Sequence, residues 1–243
     1  MEKACWFNDW FNSPYYHLLY NNRNQSEAEL FINKLCQHLQ IPEKSNIWDL
    51  ACGKGRHSLE LSKKNYRVIG TDLSEKSLEQ AKTLQNENLE FLLHDMRKPF
   101  KLNYFDYVLN LFTSIGYFDD EKDNFKVFEH VNNALKPQGF FVVDFFNALK
   151  ISKQLKPEYT EQRSDITFHI HKKILNGSIH KLIKFAHHNK QYAFTETVSL
   201  LEQKDFEKFA EAFKFKLIKT FGDYELNAFD KENSDRLILI FKK

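Results

Sequence analysis

Three acidic residues, set at the ends of three successive apolar runs, constrain this chain more than any other feature. Asn46–Ala51 reads as a first strand and carries Asp49 near its end. Arg67–Asp72 reads as a second and finishes on Asp72. Leu89–Leu93 reads as a third and runs into His94-Asp95-Met96. The stretches between them, Arg56–Lys64 and Glu75–Gln85, have helical spacing, with Ser74 as a cap for the second. The alternation continues with a strand at Phe105–Phe112, a helix at Glu121–Leu135 and a strand at Gly139–Phe146. Strands separated by helices of this length imply βαβ units and a mostly parallel sheet covered on both faces.

After Asn147 the pattern changes. Asp165–Leu175, Ser178–His187 and Gln191–Leu201 are long and alternating, and Asn176-Gly177 between the first two is a strong two-residue hairpin signal. Parallel strands cannot be joined so tightly, so this segment reads as an antiparallel insertion with one wet face bearing His169, His171, His180 and Lys184. Lys204–Phe213 reads as a helix, and Phe215–Thr220 and Leu237–Phe241 as strands returning to the main sheet. At the other end, residues 1–24 are rich in aromatics. Ser26 followed by Glu29 reads as a capping box opening a helix to Leu39. The expected organisation is an N-terminal aromatic lid and helix (1–40), an α/β core (41–150), an insertion (151–201), and a C-terminal helix with the last two strands (202–243).

Open α/β sheets bind ligands at the carboxyl ends of their strands. There Ala51-Cys52-Gly53-Lys54-Gly55 turns from strand to helix, and its glycines let backbone approach a ligand. Asp72, placed 17 residues after Gly55, can accept from both ribose hydroxyls of an adenosine moiety. Asp95 can accept from an adenine amino group, and Met96 can pack on the ring. A dinucleotide oxidoreductase is one alternative and a plain α/β domain with a tight turn is another. Against the first, Ser58 stands where the third glycine of G-x-G-x-x-G belongs.

On these residues the chain resembles the class I S-adenosylmethionine-dependent methyltransferases. D-L-A-C-G-K-G-R-H-S and G-T-D-L-S are similar to their first two motifs, H-D-M-R to the third and F-D-Y-V-L-N-L-F-T-S-I-G-Y-F to the fourth. The nearest likeness is to small bacterial members of the methyltransferase-domain 25/11 type. The resemblance implies a Rossmann-like seven-stranded sheet, mostly parallel with the last strand antiparallel, and the antiparallel β insertion after the fifth strand. It implies S-adenosylmethionine as cofactor. Asp49, Ala51, Gly53 and Gly55, with Cys52 among them, would wrap its methionine end. Asp72 and Leu73 would take the ribose, Asp95 and Met96 the adenine, and Asn110, Leu111 and Phe112 would line the sulfonium side. The commoner first motif has Gly where Ala51 stands.

Tyr15, Tyr16, Tyr20 and Arg23 read either as a lid or as a strap packed on the sheet. In the lid reading Tyr20 and Arg23 touch the cofactor, Arg23 pairing with its carboxylate, and Tyr15 and Tyr16 touch substrate. Thr113 and Tyr117 fall at the mouth of the site as substrate contacts. Tyr117 and His57 are the candidates for a catalytic group, with a helix-surface position as the alternative for His57. Phe112 is equally a core residue. No metal is called for, and His187-His188 reads as solvated. A net charge of +2 is too small to point to nucleic acid or anionic lipid. Three cysteines without metal-type pairing fit a reducing compartment. No run reaches the ~18 apolar residues of a membrane span. The expectation is a cytoplasmic monomer or homodimer that methylates a small-molecule acceptor by in-line displacement, leaving acceptor atom and base open. The rival is a non-catalytic cofactor-binding or interaction protein.

Overall fold

The structure is a computed structural model and describes residues 6–20 and 25–243. Two short helices, α1 (Trp6–Phe11) and α2 (Pro14–Leu19), precede α3 (Gln25–Leu39). Ser13 caps α2 by accepting from the Tyr15 amide, and Pro14 occupies the first turn, where no amide is needed. The capping box expected at Ser26 does not form the helix start, since α3 already begins at Gln25.

The core then runs β1 (Asn46–Leu50), α4 (Arg56–Ser62), β2 (Arg67–Asp72), α5 (Glu75–Ala81), β3 (Leu89–Leu93), β4 (Phe105–Asn110), α6 (Glu121–Ala134) and β5 (Leu135–Phe146). Two expected strands are shorter for one reason: Ala51, Phe112 and Thr113 have φ of 62°, 63° and 64°, left-handed values that end a strand. Conversely β5 starts at Leu135, four residues before Gly139, directly off α6.

The sheet order is β10-β11-β5-β4-β1-β2-β3, with β10 (Lys216–Phe221) and β11 (Arg236–Lys242) from the C-terminal part. β1 to β5 pair in parallel; β11 alone is reversed, antiparallel to both β5 and β10. This is the seven-stranded, Rossmann-like arrangement. Its faces bury separate clusters. Trp48, Phe105, Phe128 and Phe141 lie on the side of α6 and α8 (Gln203–Ala212), and Phe31, Leu61, Leu78 and Phe91 on the side of α3, α4 and α5.

Between β5 and α8 come α7 (Ala148–Lys153) and a second sheet, β6 (Glu158–Arg163), β7 (Ile166–Leu175), β8 (Ser178–His187) and β9 (Lys190–Ser199), antiparallel in that order. Asn176 and Gly177, φ 50° and 72°, make the expected hairpin. His188 and Asn189 make another, so His188 is a turn residue, and His187 is half-buried against Tyr15 rather than simply solvated. β6 and α7 escape the sequence reading: β6 (EYTEQR) is an edge strand with little apolar content, and α7 is a single capped turn and a half. The inner face of this sheet, with Phe168, Ile183 and Phe185, buries against Trp10 and Leu19. Among the described residues no helix is long and apolar enough to cross a membrane.

Candidate functional site

The sheet reverses its order between β1 and β4, so the loops after these strands part and leave a crevice at their carboxyl ends. A cavity of about 420 Å³ opens there. Its floor comes from the β1–α4 turn, the ends of β2 and β3, and Leu111–Thr113. Its roof comes from Phe11, Tyr16, His17 and Tyr20 of the N-terminal segment.

The turn after β1 is shaped by two constraints. Ala51, Gly53 and Gly55 all take positive φ, which costs Ala51 roughly 1–2 kcal/mol relative to a right-handed residue. A Cβ on Gly55 would stand 2.4 Å from the Phe91 ring, and one on Gly70 would stand 2.6 Å from the same ring. The turn can therefore lie on the sheet only without side chains at both positions.

Two carboxylates face this turn. Asp49 is buried, accepts from Ser58 Oγ at 2.5 Å, and burial pushes its pKa up to about 6. Ser58, where a dinucleotide motif has glycine, thus serves as the partner of Asp49. Asp72 accepts from the Gly53 amide and the Ser74 amide, each at 2.8 Å. Burial raises its pKa while those amides pull it down. Held by fixed backbone donors, Asp72 presents its remaining lone pairs as acceptors for hydroxyl groups.

At the end of β3, Asp95 is held bidentately by Arg97 (2.7 Å from Nη2 to Oδ2), and Arg97 also reaches Asp123 at 3.2 Å. Burial would raise the Asp95 carboxyl, but the guanidinium overrides it and holds the pKa below the ordinary value. Met96 lies beside it in the cavity wall.

The residues singled out from the sequence separate into three groups. Tyr16, Tyr20, Asp49, Ala51, Cys52, Gly53, His57, Asp72, Leu73, Asp95, Met96, Leu111, Phe112, Thr113 and Tyr117 line the cavity. Gly55, Asn110 and Tyr15 stand behind it. Asn110 is fully buried and donates to the Leu50 carbonyl at 2.9 Å, tying β4 to β1, and its Oδ1 has no partner. Tyr15 packs on Phe185 and Tyr192 of the second sheet and lies 3.1 Å from His187 Nδ1. Arg23 lies outside the described residues. His57 is 7% exposed in the cavity wall, so the helix-surface alternative for it is corrected.

The sequence reading missed two residues here. His17 lines the roof with both ring nitrogens buried and unpartnered. Burial, helped by the Lys54 charge, lowers its pKa to about 4 and keeps the ring neutral. Glu196, on β9, is 9% exposed and accepts from Trp10 Nε1 at 2.6 Å and from Tyr20 Oη at 2.7 Å. Neither had a local signal: one sits in an unrecognised helix, the other is one glutamate in an alternating strand. Among the described residues no cluster of His, Cys, Asp and Glu is arranged to hold a metal.

Residues 47–139 match the family model described as a methyltransferase domain. The methyltransferase-named protein YqeM of Bacillus subtilis (strain 168) is 34% identical over 132 residues, 53% of this chain and 53% of that protein. The chain thus spans about half the length of the curated relatives it matches. An S-adenosylmethionine-dependent methyltransferase from Clostridium acetobutylicum ATCC 824 superposes with a TM-score of 0.79 at 20% identity, covering 94% of this chain and 95% of that one. The sugar N-methyltransferase KedS8 from Streptoalloteichus sp ATCC 53650 does so with a TM-score of 0.71 at 16% identity, covering 93% and 92%. At such identities these likenesses establish the fold.

Proposed function

We propose, from the match of residues 47–139 to the methyltransferase-domain family model, that this chain moves a methyl group from S-adenosylmethionine to a small-molecule acceptor. The observation that carries the reading is the Asp72 carboxylate, fixed by the Gly53 and Ser74 amides at the edge of a cavity of about 420 Å³. An acceptor-only group so held suits a ribose, and the enclosed volume suits a nucleoside with its amino-acid tail. In this reading Asp72 and Leu73 hold the ribose, Asp95 and Met96 the adenine, and the turn from Asp49 through Gly55 the methionine end. Leu111 and Phe112, backed by Asn110, border the sulfonium, while Tyr16, Thr113 and Tyr117 meet the acceptor. When bound, the cofactor supplies an electrophilic methyl group.

The chain's own contribution is alignment, worth up to ~7–11 kcal/mol in favourable systems, and exclusion of water by the N-terminal segment. A small acceptor is supported by the roofed cavity, by a net charge of only +2 and by the sugar substrate named for KedS8. Calorimetric titration with S-adenosylhomocysteine tests the cofactor. Asp72→Ala is expected to weaken binding by about 1–3 kcal/mol, and unchanged affinity would place the ribose elsewhere. Methyl-labelled cofactor incubated with a protein-free metabolite extract tests the reaction. Label in a small molecule supports it, whereas tight cofactor binding with no transfer to any fraction would leave a non-catalytic binding protein.

A further inference from the structure

Glu196 is a buried carboxylate contributed by the second sheet, yet its partners come from three other elements. Trp10 Nε1 of α1 donates at 2.6 Å, Tyr20 Oη at the end of α2 donates to Oε1 and Oε2 at 2.7 and 2.8 Å, and Lys181 of β8 is 3.4 Å from Oε2. Lys181 Nζ also donates to Tyr20 Oη. Tyr20 in turn lines the cavity, with Tyr16 and Tyr117 close enough to influence its hydroxyl electrostatically.

A phenol has one proton to donate. Glu196 takes the one on Tyr20, so toward any other group Tyr20 Oη can only accept. A ligand atom opposite it must therefore bring a hydrogen. Resting on the proposed methyl transfer, we propose that Tyr20 and Glu196 form a proton relay that selects an acceptor bearing N–H or O–H at the atom to be methylated. As that atom's bond to the methyl carbon forms, the carbon–sulfur bond breaks and leaves its electron pair on sulfur. The atom's proton passes to Tyr20 Oη, the Tyr20 proton passes to Glu196, and the glutamic acid later releases it to solvent. Each hydrogen-bonded partner this needs within the chain is already in place.

The test compares Glu196→Gln, Tyr20→Phe and Trp10→Phe. The first keeps an acceptor oxygen for Trp10 and Tyr20 but cannot take a proton at neutral pH. The third removes the indole donor and leaves the relay intact. Three measurements are made: label transfer from methyl-labelled S-adenosylmethionine to the metabolite extract, S-adenosylhomocysteine affinity, and the Trp10 indole NMR cross-peak. Removing a positioned proton acceptor is expected to cost about 100-fold or more in transfer for Glu196→Gln and Tyr20→Phe. Cofactor affinity in both should stay within about threefold of the parent, with the Trp10 cross-peak of Glu196→Gln still at its hydrogen-bonded position and Trp10→Phe retaining most of its transfer. Transfer in Glu196→Gln within about threefold of the parent, or loss in Trp10→Phe as deep as in Glu196→Gln, would reduce Glu196 to a clasp and overturn the relay. A parent protein that binds S-adenosylhomocysteine but labels nothing would instead sink the reaction itself.

Discussion

The main sheet and the second sheet are held by different kinds of contact. The main sheet buries both faces, with Phe141 and Trp48 on one side and Phe31 and Phe91 on the other, all in a βαβ chain order. The second sheet buries its Phe168 face against α1 and α2. There the cluster of aromatic side chains is supplemented by a carboxylate whose partners lie 186 and 176 residues away in sequence. The first region follows from local periodicity. The second becomes cohesive only when two distant segments meet, and the ligand cavity is closed at that meeting point.

The comparison is tested most strongly by truncating one fully buried ring in each region. Phe141→Ala and Phe168→Ala should each cost about 3–5 kcal/mol, the first lowering the urea midpoint of the whole chain. If the second sheet and the N-terminal segment are a separate cooperative unit, Phe168→Ala adds an earlier transition and speeds hydrogen exchange in α1, α2 and β6–β9 only. A single shared transition in both variants would erase the distinction.

pH separates Asp49 of the core from His17 of the N-terminal segment by sign. Asp49 in the core has its pKa raised by burial from 3.8 to about 6. Its favourable contribution is fully present below about pH 4 and is lost as pH rises through about 6, a swing of roughly 3 kcal/mol. His17 in the N-terminal segment has its pKa lowered from 6.5 to about 4 by burial and by Lys54. Its contribution is present above about pH 6.5 and is lost as pH falls through about 4; it is the smaller of the two because solvent still reaches part of its surroundings. The two slopes oppose each other in the apo protein. Asp49→Asn should leave stability rising from pH 4 to 6.5, and His17→Phe should leave it falling between pH 4 and 6, by urea titration at each pH. Parallel curves for parent and variants would mean that these groups do not titrate as their surroundings dictate.

The smallest expected effect lies at the seam. Ser74 caps α5 by accepting from the Ser77 amide, and its hydroxyl lies 3.1 Å from the Phe11 carbonyl and 3.0 Å from Asn12 Oδ1. Ser74→Ala should cost about 1 kcal/mol through the cap and should increase proteolytic cleavage between residues 9 and 20. Unaltered cleavage would show that the second sheet alone holds the segment.

These contrasts explain what was legible in the sequence. Asp49, Asp72 and Asp95 could be placed because each follows a short apolar run whose period declares a strand, and a strand end fixes the position of its last residue. Asn176-Gly177 could be placed because its dihedral requirement is met by few residue pairs. Tyr15 could not be assigned a direction, since an aromatic in an unrecognised helix faces whichever surface tertiary packing offers, here Phe185 and Tyr192 rather than the cavity. Glu196 and His17 gave no warning because their importance lies in what they meet. Strand ends erred where Ala51, Phe112 and Thr113 turn left-handed without being glycine.

The ring of Phe91 occupies the space that side chains at positions 55 and 70 would need. One aromatic from β3 therefore sets how closely the ligand-binding turn can approach the sheet beneath it. Neither glycine can gain a side chain alone, because a methyl group at either would demand a smaller residue at 91, and at position 55, with φ 77°, it would be strained besides. In diverging copies of this chain position 70 is expected to gain a side chain only together with a smaller residue at 91, and a laboratory library that varies that pair should recover folded binders that a change at position 70 alone does not give.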